Sequence, residues 1–243
     1  MTEQEACIRT RAVYRRFEKK EVLHGIDLEV KRHEIFGLLG PSGSGKTTLV
    51  KLVAGIDEAT SGEVDVLGTR MPKLSMMKRI GYMAQSDAMY EELTAKENLE
   101  FFGALFGLHG GRLKQRIEAV MELVQLKEAL TRPVGAYSGG MKRRLSLAIA
   151  LMHEPELLIL DEPTVGIDPV LRKSIWDELG RLSQQGTTIL VTTHVMDEAE
   201  KCHRLGMIRE GRLIAVGTPE ALKQETGSAS LEEAFLYYGG VRS

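Results

Sequence analysis

Cysteine is scarce in these 243 residues: Cys7 and Cys202 stand alone, with no CxxC spacing and no histidine cluster, so neither a disulfide frame nor a zinc site is expected. No run approaches the roughly 20 apolar residues that cross a bilayer, and the opening MTEQEACIRTR lacks the apolar centre of a secretion signal. The chain is therefore expected inside the cell, with both thiols reduced. An excess of one charge is lacking too, because 32 Lys and Arg against 34 Asp and Glu leave a net charge of -2. Without a general basic field, nucleic acid is not expected as a partner. No internal repeat or low-complexity linker interrupts the chain. What is present is a globular balance, 43% hydrophobic and 27% charged, with enough length for one α/β domain carrying a large insertion.

Residues 8–13 and 26–30 are short, rich in branched apolar side chains and separated by the charged turn Glu18, Lys19, Lys20 and Glu21, which predicts two antiparallel strands. Residues 34–39 form an apolar run that ends at Gly40. After a glycine-rich turn, Leu49, Leu52 and Val53 take up helical spacing as far as Gly55. Two further strands are expected at about 63–67 and 79–83. From about 94 to 152 the apolar positions recur every three or four residues, with breaks at Gly110-Gly111 and at 131–140, which predicts a helical insertion. Strand character returns at 157–160, 187–192, 205–209 and 213–216, with a helical span over 170–183 and a hairpin turn at Glu210-Gly211.

Gly40-Pro41-Ser42-Gly43-Ser44-Gly45-Lys46-Thr47 fits G-x-x-x-x-G-K-[ST] and lies between a predicted strand and a predicted helix, the context this phosphate-binding loop requires. Its glycines let the backbone curl around phosphate oxygens, and the amides that open the helix face the anion. Lys46 would reach the β- and γ-phosphates, Thr47 would give a hydroxyl ligand to Mg²⁺, and Thr48 belongs to the same phosphate-binding set.

Leu157-Leu158-Ile159-Leu160-Asp161-Glu162 places two carboxylates at the end of an apolar run suited to a buried parallel strand. Side chains alternate along a strand, so both carboxylates reach one site only if the chain bends there. Pro163 predicts that bend, because it holds Glu162 away from helical dihedrals. Asp161 would orient Mg²⁺, and Glu162 would polarise the water that attacks the γ-phosphate.

Upstream of that pair, Tyr137-Ser138-Gly139-Gly140-Met141-Lys142-Arg143-Arg144 resembles the signature motif of the ABC ATPase family; Ser-Gly-Gly opening a helix about twenty residues before the acidic pair is the discriminating feature. The same residues also read as an N-capped helix, with Ser138 as the cap and Arg143 and Arg144 on a solvated face. The resemblance covers nearly the whole chain. It implies an α/β fold with a P-loop NTPase core and mixed sheet, an N-terminal antiparallel β subdomain and a helical insertion subdomain. One domain is then expected over 1–243, with 1–85 and 157–243 forming the core with its β subdomain and about 86–156 the helical part.

By the same resemblance, Ser138, Gly139 and Gly140 would contact the γ-phosphate of ATP held by a second ABC ATPase subunit, which implies a head-to-tail pair enclosing two ATP molecules; a homodimer is the expected form. Phe17 matches the aromatic that stacks on adenine, Gln85 the glutamine that senses Mg²⁺ and the attacking water, and His194 the switch histidine at the γ-phosphate. Gly166-Ile167-Asp168-Pro169 resembles the loop that crosses the dimer interface, which places Asp168 with the nucleotide-binding residues. Met141 stands where Gln is frequent, and His33 where a turn glycine is usual. Met-Lys-Arg-Arg after Ser-Gly-Gly, together with Ser230-Leu231-Glu232-Glu233-Ala234-Phe235, resembles the ATPase subunits of exporters whose permease is a separate transmembrane polypeptide. That implies a place at the cytoplasmic face of the membrane. Residues 86–102, with Met89, Tyr90 and Leu93 bordered by Glu91, Glu92 and Lys96, are expected to border the groove that receives the permease. Other readings are a soluble ABC ATPase of DNA repair, translation or cofactor assembly, and a regulator that binds nucleotide without hydrolysis. Glu162 and His194 speak against the regulator.

Overall fold

Glu18, at φ +50°, turns the chain between β1 (Ala6–Phe17) and β2 (Lys20–Lys31), which pair antiparallel and run well beyond the apolar segments that predict them. The computed structural model describes residues 5–86 and 89–240. A bulge at Ala12, φ +44°, explains why the buried positions of β1 pass from Ile8 and Thr10 to Val13 instead of alternating strictly. In chain order there follow β3 (Ile35–Leu39), α1 (Lys46–Ala54), β4 (Ser61–Val66), β5 (Thr69–Arg70) and β6 (Ile80–Met83). Next come the helices α2 (Ala95–Leu105), α3 (Gly110–Leu123) and α4 (Gly139–Ala150). The rest is β7 (Leu157–Asp161), α5 (Pro169–Gln184), β8 (Thr188–Thr193), α6 (Met196–Ala199), β9 (Arg204–Arg209), β10 (Arg212–Gly217), α7 (Pro219–Thr226) and α8 (Leu231–Tyr238).

Two sheets result. The smaller is antiparallel, in the order β2-β1-β4-β5; the larger has the order β10-β9-β3-β8-β7-β6 and is parallel except for the β9–β10 hairpin. The hairpin turns at Glu210 and Gly211, both at positive φ, as a two-residue turn with the right twist requires.

The central strands are apolar throughout because each face of the larger sheet is covered. Leu157, Ile159 and Leu190 pack with α1 residues Leu49 and Val53 against the smaller sheet. Their neighbours Leu158, Leu160, Ile189 and Val191 face the other way, towards Leu99, Met121, Leu145 and Trp176 of the remaining helices. Helix α1 thus sits between two sheets, and its N-terminus lies at the C-terminal end of β3.

The helical stretch differs in detail from its expected breaks. Gly110 opens α3 instead of interrupting a helix; the interruption falls just before it, around Phe106–His109, where Gly107 adopts φ +80°. Thr94 caps α2 through a full capping box with Glu97. His33 occupies φ +63°, a conformation that suits the glycine usual at this turn, and is held by Thr188 Oγ1, which accepts from its N–H at 3.0 Å. Among the described residues, no helix is long and apolar enough to cross a membrane.

Candidate active site

Gly40 closes β3 and starts the loop that ends at α1. A Cβ there would lie 2.2 Å from the carbonyl oxygen of Ile208 on β9, so the strand end admits no side chain. Gly43 and Gly45 take φ of +77° and +106°, which lets the loop reverse in a few residues. The Ser44 N–H donates to the Pro41 carbonyl at 3.2 Å, and the Ser44 carbonyl accepts from Gly211 N at 2.9 Å. Pro41, Ser42 and Gly43 are exposed, while Thr47 and Thr48 are half-buried at the start of α1. Because Gly45 is the N-cap and supplies no side-chain acceptor, the first amides of α1 remain available to an anion, at the positive end of the helix dipole.

Lys46 is 4% exposed. Its Nζ donates to the carbonyl oxygens of Gly40 at 2.7 Å and Pro41 at 3.0 Å, and lies 3.8 Å from Glu162 Oε1. Burial pushes the pKa of this ammonium down, and the charges of Glu162 and Asp161 oppose that shift. Burial and the two acidic neighbours thus act on this cation in opposite directions.

Asp161 is fully buried at the end of β7. Its Oδ1 accepts from Thr192 Oγ1 at 2.5 Å, whereas Oδ2 is buried with no hydrogen-bond partner among the described residues. The expected bend follows at once, but it is made at Glu162 itself, at φ +52°, with Pro163 beyond it. A left-handed glutamate costs on the order of 1–3 kcal/mol and marks a position where geometry matters more than local comfort. The turn aims its carboxylate at three partners: Lys46 Nζ, His194 Nδ1 at 3.2 Å from Oε1, and Gln85 Nε2 at 3.5 Å from Oε2. His194 follows β8 and Gln85 follows β6, so the ends of three adjacent strands deliver the group. Thr47 and Gln85 also line one cavity of about 260 Å³.

The Asp161 oxygen left without a partner, and the Thr47 hydroxyl and Gln85 amide of the cavity lining, are each hard oxygen donors of the kind Mg²⁺ takes.

The other expected residues lie apart from this cluster. Phe17, 44% exposed at the end of β1, carries the Arg15 guanidinium 4.2 Å from its ring centroid, and Arg15 is itself clamped by Asp57 through contacts of 2.7 and 3.0 Å. Ser138 caps α4 by accepting from Met141 N at 3.3 Å; Gly139 is exposed in the first turn, and Gly140, half-buried, lies beside the Gly166 carbonyl. Asp168 caps α5 by accepting from Leu171 N at 3.0 Å.

Against this geometry, the profile of the ABC transporter family matches residues 23–165. The chain belongs to that family. It is 40% identical over 242 residues to the probable multidrug ABC transporter ATP-binding protein YbhF of Escherichia coli K12, an alignment covering 97% of this chain and 42% of that protein. With the linearmycin resistance ATP-binding protein LnrL of Bacillus subtilis it shares 41% over 231 residues, covering 90% and 74% of the two chains. With the Nod factor export ATP-binding protein I of Paraburkholderia xenovorans it shares 42% over 221 residues, covering 90% and 73%. The chain thus spans less than half of the Escherichia coli relative and about three quarters of the other two. Among solved structures, the ATP-binding subunit of an ABC transporter superposes with a TM-score of 0.88 at 26% identity over 96% of this chain and 99% of that one. The dimeric cassette MJ0796, in a post-hydrolysis state with ADP and Pi, has the same fold, with a TM-score of 0.81 at 24% identity over 87% and 98% of the two chains.

The three relatives are all named as ATP-binding proteins, and this chain shares their family. Two residues beyond the expected set join its site. Thr192, one of a run of threonines on β8, bonds both acidic residues: Asp161 through its hydroxyl proton and Glu162 N, at 3.0 Å, through its oxygen. Arg143, expected on a solvated face, is 6% exposed and points inward. The triple charge Lys142-Arg143-Arg144 hid this, because the turn of a helix that faces a neighbour is fixed by packing, not by local charge.

Proposed function

We propose that this chain is the ATPase subunit of an exporter whose transmembrane permease is a separate polypeptide, that it works at the cytoplasmic face of the membrane as a head-to-tail homodimer, and that it uses Mg²⁺. The observation carrying the hydrolytic part is the convergence of Lys46, Gln85 and His194 on the Glu162 carboxylate, beside the unpartnered Asp161 Oδ2. Relatives whose names refer to multidrug transport, linearmycin resistance and Nod factor export support the exporter reading over DNA repair or translation.

Triphosphate approaching the loop meets the free amides of α1, and Lys46 Nζ exchanges two loop carbonyls for phosphate oxygens. Release of Nζ withdraws the cation nearest Glu162, whose carboxylate then orients a water molecule and accepts its proton. Gln85 Nε2 and His194 Nδ1 hold the two oxygens of that carboxylate in place. When bound, Mg²⁺ would be held by Asp161, Thr47 and Gln85 and would offset charge on the phosphate oxygens. Phe17 would stack on adenine, while Ser138, Gly139, Gly140 and Asp168 would serve the nucleotide of the facing subunit. Residues 86–156 would act as one helical unit on the core formed by 1–85 and 157–243.

Permease contact is assigned to the apolar groove of about 160 Å³ between α1, β6 and the helices, lined by Ile56, Met77, Tyr82, Phe102, Phe106 and His153. Tyr90, 47% exposed, packs edge-on against Phe101 at 5.1 Å at its border; Met89 instead rests partly buried on the core, and Glu91 is ion-paired with Lys142 at 2.5 Å. Asp87 and Ala88 of this segment lie outside the described residues. Affinity purification from detergent-solubilised membranes tests the assignment. The wild-type chain should recover a polytopic membrane protein, and Met77→Asp should lose it while the purified variant still binds ATP. Recovery of ribosomes or DNA-repair factors in its place would overturn the transporter reading.

A further inference from the structure

Strands β6 and β7 run parallel in register up to the pair Met83 and Leu160, and beyond it the chains part to carry Gln85 and Glu162 into the active site. The Arg143 guanidinium enters at that fork. Its Nη1 donates to the carbonyl oxygens of Ala84 at 2.6 Å and Gln85 at 3.0 Å, and its Nη2 to those of Asp161 and of Glu162, the latter at 2.8 Å. A planar fork with fixed donor directions therefore stands in for the missing rungs of the sheet and ties the main chain of both loops. No shorter or single-point donor spans the two. The Glu162 backbone it holds is the one turned to φ +52°, the conformation that aims the carboxylate. Arg143 belongs to α4, the helix opened by Ser138, Gly139 and Gly140, and its neighbour Arg144 binds the carbonyls of Val124 and Gln125, each at 3.0 Å. Helix α4 is thus strapped on one side to the end of α3 and on the other to the two hydrolytic loops.

We propose that Arg143 is the positioning residue of the Gln85–Glu162 pair: it touches no reacting atom, and it makes the alignment of both side chains depend on the seating of α4. The inference rests on the reading of Glu162 as the group that activates water. It deepens that reading in one respect, because movement at the signature turn of α4 then reaches the hydrolytic groups of the same subunit through one side chain.

The test is a double-mutant cycle on the full chain, with single-turnover phosphate release at saturating Mg²⁺-ATP and with the dissociation constant of ATP measured separately. Arg143→Lys keeps the charge but cannot reach both loops. It should lower the hydrolysis rate by about tenfold or more while the ATP dissociation constant stays within about threefold. Arg143→Gln, which can hold one loop at most, should be slower still. In the Glu162→Gln background, Arg143→Lys should add little or no further loss, since the carboxylate it aims is gone. Equal losses in both backgrounds, or an affinity that falls in step with the rate, would assign Arg143 to general stability and overturn the proposal. So would a wild-type rate for Arg143→Lys in a protein where Glu162→Gln is slow. A wild-type rate for Glu162→Gln itself would instead refute the reading of Glu162 on which the inference rests. Circular dichroism and the melting temperature of Arg143→Lys establish that the compared proteins are folded.

Discussion

Thr192 donates its hydroxyl proton to Asp161 Oδ1 at 2.5 Å, so a side chain of β8 fixes the buried carboxylate at the end of β7. The same oxygen accepts from Glu162 N at 3.0 Å. One hydroxyl thus settles which Asp161 oxygen stays available and also secures the backbone at the left-handed turn. Thr192→Val is nearly isosteric but removes both bonds inside a fully buried site. The expected cost is about 1–3 kcal/mol, which in a chain of this size lowers the melting temperature by about 2–4 °C per kcal/mol. Turnover should fall with it, and the Mg²⁺ concentration for half-maximal activity should rise. Thr192→Ser, which keeps the hydroxyl, should retain most of both properties. Equal activity and Mg²⁺ dependence in the two variants would show that the hydroxyl does not orient Asp161.

Glu162→Gln and Lys46→Ala should fail in different ways although the two side chains approach within 3.8 Å. The glutamine keeps a side-chain acceptor but cannot take a proton from water, so turnover should drop by about a hundredfold or more while ATP still binds. Gel filtration with Mg²⁺-ATP should then reveal a trapped dimer. Lys46→Ala removes the cation that meets the phosphates and should weaken ATP binding itself. A Glu162→Gln protein that elutes as a monomer under saturating ATP, or a Lys46→Ala protein of normal affinity, would contradict the assignments.

What could be seen in the sequence was whatever is encoded over short distances. The loop from Gly40 to Thr47 combines a spacing, a preceding apolar strand and a following helix, each a local property. The acidic pair could be placed for the same reason. The manner of its bend could not, because Pro163 announces a turn but does not reveal that Glu162 itself adopts φ +52°. Arg143 was hidden for a different cause, since its burial depends on the fork between β6 and β7, which comes from residues about 60 positions upstream and 20 downstream. Helices α7 and α8 do carry local signals. Thr218-Pro219 is a cap followed by a first-turn proline, with Gly227 at the far end, and Ser230 accepts from Glu233 N. Such short elements are easily passed over when apolar periodicity is the guide, because eight residues give barely two turns of pattern.

Arg15 and Phe17 supply a prediction about nucleotide affinity. Arg15 is held by both oxygens of Asp57 and lies over the Phe17 ring at 4.2 Å, so it fixes the ring from one side while leaving it 44% exposed. A cation over an aromatic face is worth about 0.5–2 kcal/mol, and loosening the ring should weaken adenine stacking by a comparable amount. Arg15→Met should therefore raise the ATP dissociation constant by about three- to tenfold. Turnover at saturating ATP should change little, because Phe17 lies apart from the hydrolytic cluster. Binding titrations alongside steady-state kinetics check this. A fall in kcat with unchanged affinity would place Arg15 in the wrong role.

His153 connects the groove to the pH dependence of stability. Its ring stacks on Phe106 with centroids 3.8 Å apart, and its Nε2 lies 3.1 Å from the Ile80 carbonyl, which makes that nitrogen the protonated one and leaves Nδ1 buried without a partner among the described residues. Burial pushes the pKa below the usual histidine value of 6.5; the Ile80 carbonyl opposes the shift and the Arg116 charge adds to it. Below pH 6.5 the unfolded chain therefore takes up the proton more readily than the folded one, and the slope of unfolding free energy against pH is positive. The stability contributed by neutral His153 is complete above pH 6.5 and is lost as the pH falls through the lower, folded-state value. In His153→Gln the amide can still donate to Ile80, but nothing at this position titrates. The stability difference between wild type and variant should accordingly grow as the pH rises towards 6.5 and then level off. Denaturant unfolding of both proteins at several pH values from 5 to 8 measures it; a difference that stays constant across that range would mean that burial does not suppress protonation of this ring.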